Sequence, residues 1–235
     1  MSLDFRNKGF SLVELLIVVA ITGVLVAILL PVLGNVREQS QTTTCASNLR
    51  QLHVAIQLYA NDNDGELAVA KHDAKAVHWT QIISPYLGGD DDLKSWEKPS
   101  EVCECPSWKS EPDYNPNLTW LWGYAMNVVP GLDPGTPEHN YRFNLDRRNS
   151  DGALVGWAGF YNLSQITYAD RRPLFMDGRD WLMRGDSLDL VAPNRHGHGK
   201  CNVVFFDGHI EVLDGESILQ AVSDPKNYSH HTTGS

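Results

Sequence analysis

An apolar stretch near the N-terminus decides the architecture. It reads Phe10-Ser-Leu-Val-Glu-Leu-Leu-Ile-Val-Val-Ala-Ile-Thr-Gly-Val-Leu-Val-Ala-Ile-Leu-Leu30 and is followed by Pro31, with no charged residue in 15–36. A helix that crosses the hydrocarbon core of a bilayer needs about 20 mostly apolar residues, so the stretch predicts a membrane-spanning helix. Arg6 and Lys8 precede it, and a cationic flank is expected to stay in the cytoplasm and to send the following residues outward.

Glu14 distinguishes this stretch from ordinary export segments. A cleaved secretory signal has a shorter apolar core of about 7–15 residues. A plain signal anchor fits the length but leaves the acid unexplained, because a carboxylate inside a membrane segment costs about 2.5–3.5 kcal/mol. An amine on a neighbouring copy of the segment would offset that cost, which would couple insertion to assembly.

Composition limits the remaining classes. The chain has 235 residues and a mass of 26.2 kDa, enough for one ordinary domain with an appendage. Its 19 basic residues against 29 acidic ones give a net charge of −10, which argues against a nucleic-acid partner. A charged fraction of 20% and a hydrophobic fraction of 42% exclude a disordered chain and an all-membrane protein.

The segment Lys8-Gly-Phe-Ser-Leu-Val-Glu-Leu-Leu16 resembles the type IV prepilin signature, which type IV pilins and type II secretion pseudopilins share. The resemblance implies that a prepilin peptidase cuts between Gly9 and Phe10 and methylates the new Phe10 amine. It implies that Glu14 neutralises the N-terminal amine of an adjacent subunit during filament assembly, and that Pro31 kinks the helix.

A second, narrower resemblance lies further along the chain. The segments 45–52, Cys105-Pro-Ser107, Tyr124-Ala-Met-Asn127 and 195–209 are similar to prepilin-like proteins that carry a His, a gap of nine residues and then Asp-Gly. Here ten residues separate His196 from Asp207-Gly208, and eight separate His198 from it. The sequence therefore leaves open which histidine is equivalent.

The remaining pattern predicts an α+β fold that is pilin-like. An apolar stripe at three- and four-residue steps continues the helix to about Ala60, where Asn61-Asp-Asn-Asp-Gly65 is suited to end it. Strands are expected at 153–157, 174–176, 202–206 and 209–213, the last two joined by a hairpin at Asp207-Gly208. The expected result is a long N-terminal helix packed on a small antiparallel sheet with long irregular loops.

Five segments follow from this pattern: a leader at 1–9, a membrane or filament-core helix at 10–36, an amphipathic helix at 37–65, a globular domain at 66–227 and a flexible tail at 228–235.

Four cysteines in an exported domain are expected to be oxidised, and they allow three connectivities. Cys45–Cys105 is the preferred pair because it would tie the helix to the first long loop, which leaves Cys103 with Cys201. A Cys-x-Cys metal or redox site is the weaker interpretation, because no second ligand pair follows at zinc-finger spacing.

Several motifs suggest chemistry without its usual context. Gly185-Asp-Ser-Leu188 spells the nucleophile block of GDSL hydrolases, but it lacks that family's surrounding blocks. His196, His198 and His209 are candidate zinc or copper ligands. Asp170, Asp177 and Asp207 are candidate calcium ligands, and Asp177, Asp207 and His196 form a metal set that combines the two hypotheses. We therefore expect no cofactor, with calcium as the exception to test.

The preferred function is a non-enzymatic structural subunit of a type IV pilus-like or type II secretion pseudopilus filament. Its expected partners are a prepilin peptidase, further copies or related subunits, and the inner membrane, which it would cross once with the N-terminus cytoplasmic and the globular domain periplasmic. The alternative is a membrane-tethered periplasmic binding protein or hydrolase that uses the prepilin export route.

Overall fold

The computed structural model describes residues 12–68, 71–72, 77–91, 93–94, 97–111, 114–115, 121–127, 146–148, 154–157, 162–180, 182–183, 191–192, 195–196 and 199–229. The chain divides into two compact units, Met1–Ser40 and Gln41–Ser235. The expected α+β class is confirmed: in the described residues, a long N-terminal helix is followed by two small sheets and two shorter helices.

Helix α1 spans Leu12–Asp62 without interruption. Beyond residue 41 it shows the predicted stripe, with Leu49, Leu52 and Ile56 fully buried at three- and four-residue steps. It ends as predicted, because the backbone N–H of Gly65 donates to the carbonyl of Ala60 at 2.7 Å while Gly65 adopts a φ of 84°. Only glycine takes that conformation without strain, so the chain turns there.

The main sheet has five strands in the order β7-β3-β6-β8-β9. These strands are β3 (Tyr124–Asn127), β6 (Pro173–Asp177), β7 (Leu182–Met183), β8 (Lys200–Phe205) and β9 (Ile210–Asp214). Neighbours pair antiparallel except at one edge, where β7 runs parallel to β3. The strands expected at 174–176, 202–206 and 209–213 thus lie side by side, and β3 adds a further neighbour.

The predicted hairpin joins β8 to β9. Its turn is closed by the Gly208 N–H, which donates to the Phe205 carbonyl at 2.9 Å, and the Phe205 N–H donates back to His209 at 3.0 Å. Gly208 has a φ of 92°, as the last position of a three-residue hairpin loop requires. The loop is thus longer than the two residues that the Asp-Gly signal suggests.

A second sheet has four short antiparallel strands in the order β2-β1-β5-β4. They are β1 (Lys71–His72), β2 (Val77–His78), β4 (Asp146–Arg148) and β5 (Leu154–Trp157), the last matching the strand expected at 153–157. Helix α2 (Trp79–Ile83) follows β2 and continues as a 3₁₀ turn, Ser84–Leu87, that ends at Gly88 with a φ of 73°. Further 3₁₀ turns lie at Glu101–Cys103, Trp108–Ser110 and Leu163–Gln165.

The main sheet is buried on both faces, which an amphipathic helix on one side alone would not achieve. One core cluster joins the buried stripe of α1 to Trp79, Tyr124, Phe175 and Val204. The opposite cluster joins Phe205, Met176 and Val203 to the last helix, α3 (Gly215–Ser223). Alternate strand residues point to opposite faces, so neighbours such as Val203 and Val204 enter different clusters.

Helix α3 was not anticipated from the sequence, although the local signal is present. The Asp214 carboxylate accepts a hydrogen bond from the Ser217 N–H at 2.8 Å, which is an N-cap. The flexible tail predicted from residue 228 is wrong at its first residue. Tyr228 is buried and its hydroxyl donates to Glu211 at 2.8 Å, so the chain stays attached to β9 there; residues 230–235 lie outside the described part.

Candidate functional site

The first half of α1 carries the largest apolar surface in the described chain. Its large side chains are at least half exposed along the whole length from Leu12 to Val36. Among the described helices, α1 is the one long and apolar enough to cross a membrane, and its most apolar 18-residue window is 0% buried. A core helix of a soluble domain would be covered by its own chain, so this surface suits lipid or other copies of the helix.

Polar groups within this half are few. The Thr22 hydroxyl donates to the Val18 carbonyl at 2.9 Å, which satisfies it inside the helix. Glu14 is the one acid between Leu12 and Val36, and it lies in the first turn of the described helix. Gly9 and Phe10, the predicted cleavage and methylation positions, lie outside the described residues. The kink at Pro31 stays a prediction.

The cysteines form one disulfide among the described residues. Cys45 on α1 is bonded to Cys105, with 5.5 Å between the Cα atoms, and this is the pairing that the sequence favoured. The companion pair is wrong: Cys103 and Cys201 are buried free thiols. Cys103 belongs to the core cluster of α1 and Cys201 to that of α3, so the sheet separates them, and burial raises the pKa of both thiols.

A buried polar cluster adjoins this disulfide. His196 has a side chain 1% exposed, with its Nε2 3.0 Å from Oδ2 of Asp177, which stands at the end of β6. The distance is that of an ion pair, yet neither ring nitrogen is aligned for a hydrogen bond with any described residue. Oδ2 of Asp177 instead accepts the backbone N–H of Asn202 at 2.7 Å, while Oδ1 is buried with no hydrogen-bond partner in the described chain.

Arg195, next to His196, cross-links the segments around the cluster. Its guanidinium donates to the carbonyls of Gly178 (at 2.7 Å) and Gly123, and it pairs with the Glu111 carboxylate. It also lies 5.0 Å above the Trp108 ring. Neither Arg195 nor Glu111 is among the predicted site residues. The signal that could have found Arg195 is its position beside His196, one of the two candidate motif histidines.

The His and the Asp-Gly of the C-terminal motif are not brought together in the described chain. His196 contacts Asp177, whereas Asp207 contacts His209, with 2.5 Å between Oδ1 and Nδ1. The His209 ring stacks on Phe205, so this pair orders the hairpin. His198 lies outside the described residues. His196 thus lies in the buried cluster and Asp207-Gly208 in the hairpin, while the role of the motif stays a prediction.

The residues of the metal hypotheses also lie in different places in the described structure. Within the described residues, the one group of metal-ligating side chains is Cys45, Cys105, Asp177 and His196, whose donor atoms all lie within 4.8 Å of one another. Asp170 and Asp207 are not in this group, so the acids of the calcium hypothesis do not converge. His209 is likewise apart from His196. The GDSL-like residues 185–188 lie outside the described part of the chain.

The N-terminal segment is similar to that of known proteins. The model of the prokaryotic N-terminal methylation motif matches residues 4–30, a range that contains Gly9, Phe10 and Glu14. The type II secretion system core protein G of Pectobacterium carotovorum subsp. carotovorum is 32% identical over 147 residues, which are 61% of this chain and 89% of that protein. The chain belongs to the family of type IV pilins and type II secretion pseudopilins.

Matches to the pilins of this family are shorter. The major pilin PilA of Myxococcus xanthus (strain DK1622) is 39% identical over 59 residues, 25% of this chain and 27% of PilA. The major fimbrial protein FimA of Dichelobacter nodosus is 38% identical over 75 residues, 32% of this chain and 43% of FimA. The chain thus spans less than half of these two relatives. No solved structure matches.

The methylation motif and the exposed apolar helix together fit a membrane-anchored member of the pilin and pseudopilin family. The names of the relatives are those of pilus and secretion-system proteins.

Proposed function

We propose that the chain is a non-enzymatic structural subunit of a pilus-like filament, held in the inner membrane through the first half of α1 before assembly and joined to other subunits through the same surface afterwards. The observation that carries this proposal is the exposure of every large apolar side chain between Leu12 and Val36 in a chain of this family. Removing apolar surface from water is favourable by about 25 cal/mol for each square ångström. Because lipid and neighbouring helices both remove it, either can bury the apolar surface of this helix.

A pseudopilus is favoured over a pilus. The match to core protein G extends over 147 residues, well past the N-terminal helix, whereas the match to PilA covers 59. In an open filament, one surface of each subunit binds a different surface of the next subunit. An exposed apolar helix that packs among its own copies would supply such contacts.

Glu14 would set the register of this packing. After cleavage before Phe10 it becomes the fifth residue of the chain, one helical turn from the new amine. A carboxylate in apolar surroundings costs about 2.5–3.5 kcal/mol unless a cation neutralises it. The Phe10 amine of a neighbouring subunit is the cation that this arrangement offers.

Membrane orientation follows from the flanking charge. Arg6 and Lys8 precede the apolar segment and would remain cytoplasmic, where a prepilin peptidase reaches Gly9–Phe10. The unit beginning at Gln41 would then lie in the periplasm.

Processing is tested by intact mass and N-terminal sequencing of the membrane-extracted chain. We expect it to begin at N-methyl-Phe10. A Gly9→Val variant should keep its leader, whereas Gly23→Ala, at a glycine with no neighbouring atom within 4 Å of an added Cβ, should be processed normally. An intact Met1 terminus, or a cut near residue 31, would contradict the proposal.

Assembly is tested with Glu14→Ala. Insertion should be unimpaired because a charge leaves the apolar segment, while incorporation into sheared filaments should fall about ten-fold or more as the pairing is lost. Glu38→Ala, at an exposed acid beyond the apolar segment, is the matched control and should assemble normally. Equal incorporation of both variants would remove the assembly role of Glu14.

A further inference from the structure

The four metal-ligating side chains beside the disulfide come from distant parts of the sequence. Cys45 lies on α1, Cys105 follows the 3₁₀ turn Glu101–Cys103, Asp177 ends β6, and His196 lies in the turn before β8. Their donor atoms nevertheless lie within 4.8 Å of one another, and all four residues are buried or nearly so. We call these four residues the buried ligand group.

In the disulfide form, the other two members keep polar atoms without partners. Both ring nitrogens of His196 and Oδ1 of Asp177 are buried and make no hydrogen bond to the described chain. Buried polar atoms are normally satisfied, so such a concentration of exceptions needs an explanation. The 3.0 Å approach of Nε2 to Oδ2 lacks hydrogen-bond alignment, which is expected when two donor atoms face a common centre rather than each other.

The donor chemistry identifies what would occupy that centre. Two thiolates, one imidazole nitrogen and one carboxylate oxygen are a tetrahedral zinc donor set, with bonds of about 2.3 Å to sulfur and about 2.0 Å to nitrogen and oxygen. These bonds place neighbouring donors about 3.3–3.8 Å apart, within the spread of the group. Soft sulfur ligands disfavour calcium and magnesium, which prefer an all-oxygen shell.

We propose that the chain, once a thiol or phosphine has supplied two electrons and reduced the Cys45–Cys105 disulfide to two thiols, binds one zinc-class divalent cation through Cys45, Cys105, Asp177 and His196. On binding, each thiol releases its proton to solvent and its sulfur donates an electron pair to the metal, so two metal–sulfur bonds form and no electron is transferred. The same two sulfurs are joined to each other in the disulfide. Metal binding and the Cys45–Cys105 bond therefore exclude one another.

The surroundings already hold one ligand in place. Asn202 donates its backbone N–H to Oδ2 of Asp177 at 2.7 Å, and carboxylates that bind metals are commonly fixed by such a bond. Oδ1 is left for a further interaction. This inference does not depend on filament assembly, because all four ligands lie in the unit Gln41–Ser235.

The test uses the full chain, extracted in detergent, reduced with a phosphine and titrated with Co²⁺ and then with Zn²⁺. We expect one Co²⁺ per chain, with thiolate-to-cobalt charge-transfer absorption and the visible bands of tetrahedral cobalt, and stoichiometric displacement by Zn²⁺. The oxidised chain, with Cys45 and Cys105 bonded, should show neither. A cobalt spectrum without thiolate absorption, or equal metal affinity in the oxidised chain, would overturn the proposal.

Variants identify the ligands. Cys45→Ser, Asp177→Asn and His196→Gln should each weaken binding ten-fold or more, whereas Cys103→Ala removes a buried thiol outside the ligand group and should keep full affinity. Wild-type affinity in Cys45→Ser would refute the site. If a ligand variant fails to fold, X-ray absorption of zinc in the wild-type chain decides, because a first shell without two sulfur atoms would also refute it.

Discussion

The two halves of helix α1 carry similar apolar side chains, which are exposed in the first half and buried along one face of the second. Leu25 in the first half is 54% exposed, whereas Leu52 in the second is fully buried. Charged side chains also differ in exposure. The only charged residue from Leu12 to Val36 is Glu14, which is exposed. The unit that holds most of the second half buries Arg172, Asp177 and Arg195.

This difference shows that one continuous helix is exposed along its first half and covered by its own chain along one face of its second half. The second half owes its stability to contacts with its own sheet, since helices in water depend on tertiary packing. The first half has the same apolar chemistry but leaves its large side chains exposed. Substitutions in the first half of α1 should therefore be tested by filament assembly, and substitutions in the second half by unfolding.

The largest effect is expected for Arg195→Met. The change leaves the carbonyl of Gly178 without its donor and the largely buried Glu111 carboxylate without its closest cation, so the free energy of unfolding should fall by about 3–5 kcal/mol. Urea unfolding of the detergent-extracted chain, followed by tryptophan fluorescence, measures it. Arg37→Met, at an exposed arginine of the first unit, should change it by no more than about 0.5 kcal/mol. If both variants changed the free energy of unfolding equally, the buried arginine would contribute no more to stability than the exposed one.

A leucine pair tests the apolar contrast directly. Leu52→Ala should lower the free energy of unfolding by about 3 kcal/mol, because it removes buried methyl groups and leaves a cavity. Leu25→Ala should leave urea unfolding of the globular unit unchanged and lower filament yield instead. A large unfolding effect from Leu25→Ala would show that this surface is covered within the single chain.

Gly208→Ala tests the contact between the β8–β9 hairpin and the second half of α1. The φ of 92° is strained for alanine, and an added Cβ would lie 2.8 Å from Cε1 of His53. We expect a loss of about 1–2 kcal/mol in the same urea experiment. Gly34→Ala, on α1 in the first unit with open space around it, is the control and should cost nothing measurable. An unaffected Gly208→Ala chain would mean that the hairpin does not need this conformation.

The smallest effect is a pH dependence at Glu104. Burial alone would raise the pKa of this carboxyl, but the ammonium groups of Lys109, at 2.6 Å, and Lys98, at 3.1 Å, outweigh it and hold the pKa below its usual range. Because the pKa is lower in the folded chain, the stabilisation is present above the unfolded value of about 4.3 and is lost as the pH falls through the folded value.

Glu104→Gln should therefore lower the free energy of unfolding at neutral pH by about 1 kcal/mol or less and have little effect in strong acid. Glu101→Gln is the matched control, because Glu101 is 94% exposed and 3.8 Å from Lys98. A deficit in the Glu104 variant that stayed constant at all pH values would show that the ion pairs are not its source.

Much of the fold was predictable because it depends on residues close together in sequence. The uncharged segment at 15–36 specifies an apolar helix by composition alone, and the stripe through Leu49, Leu52 and Ile56 follows from helical periodicity. Gly65 and Gly208 end a helix and close a hairpin through backbone conformations that glycine adopts without strain. The apolar helix, the end of α1 and the β8–β9 hairpin could therefore be predicted from the sequence.

The buried ligand group was decided by tertiary structure. The sequence suggested Asp177 as a metal ligand, His196 as a metal ligand and a motif histidine, and Cys45 and Cys105 as a disulfide, but it did not group the four. They converge because β6 pairs with β3 and β8 while α1 packs on that sheet, and no local pattern encodes this strand order. Cys103, in a 3₁₀ turn, belongs to the core cluster on the α1 side of the sheet, and Cys201, on β8, belongs to the cluster on the α3 side, which is why their predicted bond does not form.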